Sequence, residues 1–109
     1  MKLRYAIQYV DEMERAVAFY RDTVGLTLRF QSPYWTEFDT GGTTLALHPS
    51  SDAHPAGAVQ LGFGPADVEA FYAEMVAKGV SFTMKPTAQR GATIARFLNS
   101  EGAECSVGG

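Results

Sequence analysis

One pattern of elements is written twice in 109 residues, and this repeat limits the possible folds more than any other feature of the chain. In the first copy, Val10-Asp11-Glu12-Met13-Glu14-Arg15-Ala16-Val17-Ala18-Phe19-Tyr20-Arg21-Asp22-Thr23-Val24-Gly25 reads as a helix. Asp11 can accept from the first-turn amides, and Glu14 three positions later completes a capping-box-like pair. Met13, Ala16, Val17, Tyr20 and Val24 recur at helical spacing as one apolar stripe, and Gly25 is a natural stop. In the second copy Pro65-Ala66-Asp67 opens a helix, with proline suited to its first turn. Val68, Phe71, Tyr72, Met75 and Val76 form its stripe, and Gly79 ends it. A Phe-Tyr pair sits in each helix, at Phe19-Tyr20 and Phe71-Tyr72.

Strand-like segments flank both helices, at 3–10, 26–30, 34–39 and 43–48 and again at 59–63, 80–84, 92–98 and 103–107. Each copy ends in a glycine-bearing turn, Asp39-Thr40-Gly41-Gly42 in one and Asn99-Ser100-Glu101-Gly102 in the other. Residues 49–57, rich in Pro, Ser and Gly, read as a linker. The expected fold is α+β: one domain over 1–109, made of a βαβββ module at 1–48 and a second at 58–109. A helix covers one face of each sheet, so the opposite faces are expected to pair around a cavity.

Composition narrows the function classes. Lys+Arg 9 against Asp+Glu 12, scattered along the chain, leaves no electrostatic footprint for nucleic acid or an anionic membrane. No apolar run approaches the roughly 20 residues of a membrane span. The opening residues enter a strand directly, without the apolar core of a signal peptide, so a cytoplasmic location is expected. A lone cysteine, Cys105, has no internal disulfide partner, and on the helix-facing side of its strand it reads as an inert buried thiol.

The residues Val10-Asp11…Arg15…Ala18-Phe19-Tyr20-Arg21…Val24-Gly25-Leu26, with Asn99-Ser100-Glu101-Gly102 at the last turn, resemble the signature of the vicinal oxygen chelate superfamily of glyoxalase I, bleomycin-resistance proteins and extradiol dioxygenases. The resemblance runs over nearly the whole chain. In metal-using members four strands each supply a ligand, and by position these fall on Tyr5, Ala46, Ala58 and Ser106. Alanine has no donor atom, and neutral Tyr or Ser is a poor ligand beside imidazole and carboxylate. The resemblance therefore implies a member without the usual metal set, and no cofactor is expected.

Strand alternation identifies the face that looks away from the helices. Leu45 and Leu47 belong against a helix, which leaves Ala46 and His48 on the other side. Likewise Val59, Leu61 and Phe63 are expected to face the helix, leaving Ala58, Gln60 and Gly62; Cys105 and Val107 leave Glu104 and Ser106. In the first strand Tyr5, Ile7 and Tyr9 share that side, at the cost of putting Gln8 against the helix. Trp35 and Phe38 add aromatic surface near the rim, unless they are core packing. The expected ligand-binding set is Tyr5, Ile7, Tyr9, Trp35, Phe38, His48, Gln60, Glu104 and Ser106.

His48 and Glu104 each stand one same-face step from a replaced ligand position. Such a pair can serve as acid and base, or join His54 around a displaced metal; the plainer alternative is a solvated His48 and a Glu104 paired at the surface. His54 in the linker is expected to be exposed, and Arg90 or Arg96 can stand at the mouth for an anionic guest. The sequence thus points to a metal-independent protein binding an apolar or aromatic small molecule, an antibiotic among the options. The alternatives are a lyase, isomerase or dioxygenase-type enzyme built around His48 and Glu104, and an interaction module with a closed cavity. A homodimer is expected in each case, since a symmetric partner covers uncovered sheet faces.

Overall fold

A computed structural model describes residues 1–108. The elements run β1 (Lys2–Val10), α1 (Met13–Ala18), a π-helical segment (Phe19–Val24), β2 (Thr27–Gln31), β3 (Thr36–Asp39) and β4 (Thr44–Pro49). The second series is β5 (Val59–Gly64), α2 (Val68–Ala77), β6 (Phe82–Gln89), β7 (Ala92–Leu98) and β8 (Glu104–Gly108). This is the α+β, twice-repeated βαβββ order. No helix among the described residues is long and apolar enough to cross a membrane.

The chain divides into two compact units, Tyr5–Val59 and Met1–Arg4 with the residues from Gln60 onward. The linker therefore groups with the first half, because its backbone pairs with the end of β1: the Ser50 amide donates to the Val10 carbonyl and the Gly57 amide to the Tyr9 carbonyl, each at 2.9 Å. Residues 1–4 group with the later half instead; the Arg4 side chain lies directly over Gly64.

In the unit Tyr5–Val59 the strands are ordered β2-β3-β4-β1, with β1 and β4 parallel and β3 antiparallel to its neighbours. Val17 of α1 is packed against Phe38 and Leu47, with Met13, Ala16, Tyr20 and Leu45 around them. Gln8 is on this helix side, where the Tyr20 hydroxyl donates to its side-chain oxygen. The polar residue that interrupts the strand pattern thus has a partner supplied by the helix.

Two details of the first helix differ from expectation. Glu12 is the N-cap and makes no side-chain cap bond, whereas Asp11 takes the Ser50 hydroxyl and so ties the linker down. From Phe19 the coil widens to π-winding, which breaks the 3.6-residue period and leaves Val24 exposed rather than on the stripe. Gly25 closes the segment in the left-handed region at φ 86°.

In the other unit the strand order is β5-β8-β7-β6, and Val68 of α2 packs on Ala95 and Val107 with Phe71, Phe82 and Phe97 around them. Asp67 caps α2 by accepting from the Ala70 amide, so Pro65 precedes the cap instead of entering the first turn. Phe63 reaches Phe97, whereas Leu61, on the same side of β5 by alternation, is 40% exposed; Val59, at the end of the unit Tyr5–Val59, is 57% exposed. Val76 is exposed because only one side of α2 meets the sheet.

Cys105 is buried beneath α2's side of β8, and this burial, with the neighbouring charge of Glu104 adding to it, pushes the thiol above its usual range. A raised pKa leaves less thiolate at neutral pH. Labelling of the folded protein by a disulfide reagent is expected to run at least about tenfold slower than labelling after denaturation. Equal rates would contradict this burial.

Candidate functional site

Alternation places Tyr5, Ile7 and Tyr9 of β1 on the face of the unit Tyr5–Val59 that is turned away from α1, and each has a β4 partner on that face: Thr44, Ala46 and His48 respectively. Glu37 of β3 lies across from Ala46 on the other side of β4. Ile7 and Ala46 form a buried floor with Tyr9, and Tyr5, Trp35 and Ala58 pack around it.

Five rings run continuously over this floor. Trp35 meets Tyr5 edge-on at 5.5 Å and His48 edge-on at 6.3 Å. His48 meets Tyr9 edge-on at 5.3 Å, and Tyr9 stacks on His54 at 4.4 Å with only 12° between the planes. Edge-to-face and stacked pairs each contribute about 0.5–1.5 kcal/mol beyond their buried area, so the rings hold one another in place. His54 is therefore not a solvated linker residue. The turn that carries it is closed by the Ser51 amide donating to the His54 carbonyl at 2.9 Å and by the Ser51 hydroxyl oxygen accepting from the His54 amide at 3.2 Å.

Glu37 organises the polar edge of this face. Its Oε2 accepts the indole N–H of Trp35 at 2.8 Å and the Tyr5 hydroxyl at 3.4 Å, while its Oε1 accepts Arg29 at 3.0 Å. Arg29 also donates to the Thr44 hydroxyl. The Glu37 side chain is 20% exposed and that of Arg29 46%, and several donors together fix the carboxylate in place. Neither Glu37 nor Arg29 belongs to the expected set. Glu37 could be found by period two, standing two residues after Trp35 on the same face; Arg29 could not, because an irregular register between Leu28 and Phe30 resets the parity of β2.

Phe38 requires a correction. It is 0% exposed and packs on the helix side against Val17 and Leu47, so it is core rather than ligand-facing surface. Trp35 immediately precedes β3 and Phe38 lies within it, and their odd separation of three sends them to opposite faces.

His48 and Glu104 belong to different units, and each has local partners. The His48 ring nitrogen Nδ1 lies 2.8 Å from the Pro49 carbonyl oxygen. Glu104 accepts from Gln60 at 3.0 Å and from the Thr83 hydroxyl at 2.6 Å. Ser106 is on the same face of β8 as Glu104. Arg90 sits in the β6–β7 turn at φ 51°, followed by Gly91 at φ 82°.

The residues at the four positions to which the resemblance carries a ligand set, Tyr5, Ala46, Ala58 and Ser106, offer poor chemistry for a cation. Ala46 and Ala58 offer only hydrocarbon to their cluster, the Tyr5 hydroxyl is directed to Glu37, and Ser106 is a neutral alcohol. Among the described residues no three His, Cys, Asp or Glu side chains come together as a metal-binding group. A groove of about 730 Å³ lies elsewhere in the unit, lined by Glu12, Met13, Glu14, Arg15, Gln31, Ser32 and Pro33. It has no aromatic wall, and two of its three charged residues, Glu12 and Arg15, pair with each other at 2.9 Å.

Comparison with known proteins agrees with this architecture. Residues 2–104 match the Glyoxalase/Bleomycin resistance protein/Dioxygenase superfamily. The uncharacterized protein YurT of Bacillus subtilis is 30% identical over 116 residues, which takes in 89% of this chain and 90% of YurT. Among solved structures, a hypothetical protein from Bacillus halodurans superposes with a TM-score of 0.83 at 19% identity, covering 98% of this chain and 92% of that one. A methylmalonyl-CoA epimerase from Streptomyces coelicolor, solved with 2-nitronate-propionyl-CoA, gives 0.81 at 19% identity over 99% and 96%. At such identities the structural likeness speaks to the fold alone.

Proposed function

The chain belongs to the glyoxalase/bleomycin resistance protein/dioxygenase superfamily, and within it we propose a metal-independent protein that binds a planar apolar or aromatic small molecule on the face of the unit Tyr5–Val59 that is turned away from α1. The carrying observation is the continuous ring surface Tyr5–Trp35–His48–Tyr9–His54 over the Ile7 and Ala46 floor. Such a surface supplies buried area and stacking, and the few polar groups at its edge set orientation. Antibiotics with fused or conjugated rings are within this class of guest. In this reading the working form is a homodimer.

Trp35 is the only tryptophan in the chain, so its fluorescence reports on this face alone. Titration with 2-naphthol is expected to change the Trp35 emission saturably, and Tyr9→Ala to weaken the binding about tenfold through the loss of ring contacts. A flat titration with 2-naphthol and with larger planar aromatics would overturn the proposal. So would stoichiometric Ni, Zn, Fe or Mn in the purified protein that disappears in His48→Ala.

The exposed His48 ring at the edge of this surface supports a second reading, an enzyme in which His48 exchanges protons with the bound molecule. Turnover lost in His48→Ala while 2-naphthol binding persists would favour it over simple binding.

A further inference from the structure

The face of the other unit that is turned away from α2 has a different chemistry. Ala95 and Val107 pack with Val68 on the helix side, so alternation turns Arg96 and Ser106 to the opposite face. Ser106 is paired with Gly62 on β5 and with Arg96 on β7. One row across the three strands therefore reads Gly62, Ser106, Arg96: no side chain, then a hydroxyl, then a guanidinium. In the neighbouring row Gly108 pairs with Ile94, whose side chain covers it, and a Cβ at Gly108 would come within 3.1 Å of the Ile94 methyl. Arg4 lies over Gly64 in the same way, its Cδ 3.1 Å from where a Cβ would stand.

Arg96 is the unusual member of this row. Its Nε–H is buried, and among the described residues no acceptor reaches it. A guanidinium keeps its proton throughout the accessible pH range, so this donor has no neutral form to retreat to. Arg15, Arg21 and Arg29 by contrast each hold a carboxylate, at 2.9, 2.8 and 3.0 Å. The carboxylate on the face of Arg96, that of Glu104, is turned to Gln60 and Thr83.

We propose that Arg96 and Ser106 form a subsite for a compact oxyanion, the carboxylate or phosphate group of a small molecule. A guanidinium edge presents two parallel N–H groups to two oxygens, and the Ser106 hydroxyl is placed beside it to donate to the same group. The missing side chain at Gly62 keeps the third position of the row from competing. This subsite does not depend on the aromatic face of the other unit, and its test is separate.

The experiment follows the arginine Nε–Hε signals of the intact ¹⁵N-labelled protein, assigned by through-bond correlation, during titration with sodium phosphate and separately with sodium acetate. Sodium chloride at matched ionic strength is the reference. The Arg96 signal is expected to move saturably with at least one anion while that of Arg29, held by Glu37, stays in place. Response to phosphate alone, to acetate alone or to both supports the subsite and identifies the oxyanion it takes. Ser106→Ala is expected to weaken the response about tenfold. An Arg96 signal that does not move with either anion, or moves no further than those of the surface pairs Arg15 and Arg21, would overturn the proposal. Because the main readout uses the native chain, a poorly folding variant does not compromise it.

Discussion

Replacing Phe38 by alanine is expected to lower the stability of the protein by about 3–5 kcal/mol, most of what a domain of this size has. The side chain is 0% exposed, enclosed by Val17 and Leu47, with the Tyr20 ring 5.9 Å away. Removing it forfeits the transfer energy of a benzyl group and leaves a cavity between α1 and the sheet that neighbouring side chains only partly fill. Urea denaturation should show a large fall in midpoint with little change in slope. The same variant separates core from site, because the rings on the face turned away from α1 are untouched. At low temperature, where it remains folded, Phe38→Ala should still bind 2-naphthol with near-native affinity. A stability loss below about 1 kcal/mol would mean that Phe38 is not the core residue described.

The second large effect is expected from Ala46→Glu, which installs the residue type that the family resemblance assigns to this point of the fourth strand. Ala46 is 0% exposed, with Ile7, Tyr9, Tyr5, Trp35 and Ala58 packed around it, and its cross-strand partner is Glu37. The new carboxylate would lose its hydration and face a like charge, so a destabilisation of about 3–5 kcal/mol is expected at neutral pH. Both effects raise its folded-state pKa above the unfolded value of about 4.3. Between those two values the folded state keeps a proton that the unfolded state has released, so stability falls as pH rises. The deficit relative to the parent should accordingly be larger at pH 7.5 than at pH 4.5. Parent-like stability across that range would show that the face has room for a ligand residue. It would leave the missing donor atoms as the sole reason for the poor fit to a metal.

The periodic parts of the fold could be read directly from the chain. Leu45 and Leu47 against Ala46 and His48, and Cys105 and Val107 against Glu104 and Ser106, divide faces by period two because one side of each strand meets a helix. The turns at Asp39 and Asn99 were equally legible. Each side chain accepts from the amide two residues on, Gly41 in one and Glu101 in the other, as short polar side chains do in such turns.

What escaped depends on geometry that no local pattern encodes. Grouping Trp35 with Phe38 by residue type runs against period two, which already separates them. The π-winding after Ala18 displaces Val24 without any glycine or proline to announce it. Contact between His54 and Tyr9 depends on how the linker folds back, and Glu37 gains its importance from Tyr5 and Arg29 on two other strands as well as from the nearby Trp35.

Because Met1–Arg4 group with the residues from Gln60 onward, the boundary between the units does not coincide with any single break in the chain. A cut in the linker yields two fragments, neither of which contains one whole unit: the earlier piece carries away the strand residues that cover Gly64 in the later one. The repeat visible in the sequence is therefore not a pair of separable parts. Expressing each half alone would sever what the fold counts as one body, and a gene split between the copies would have to restore it by reassembly of the two products.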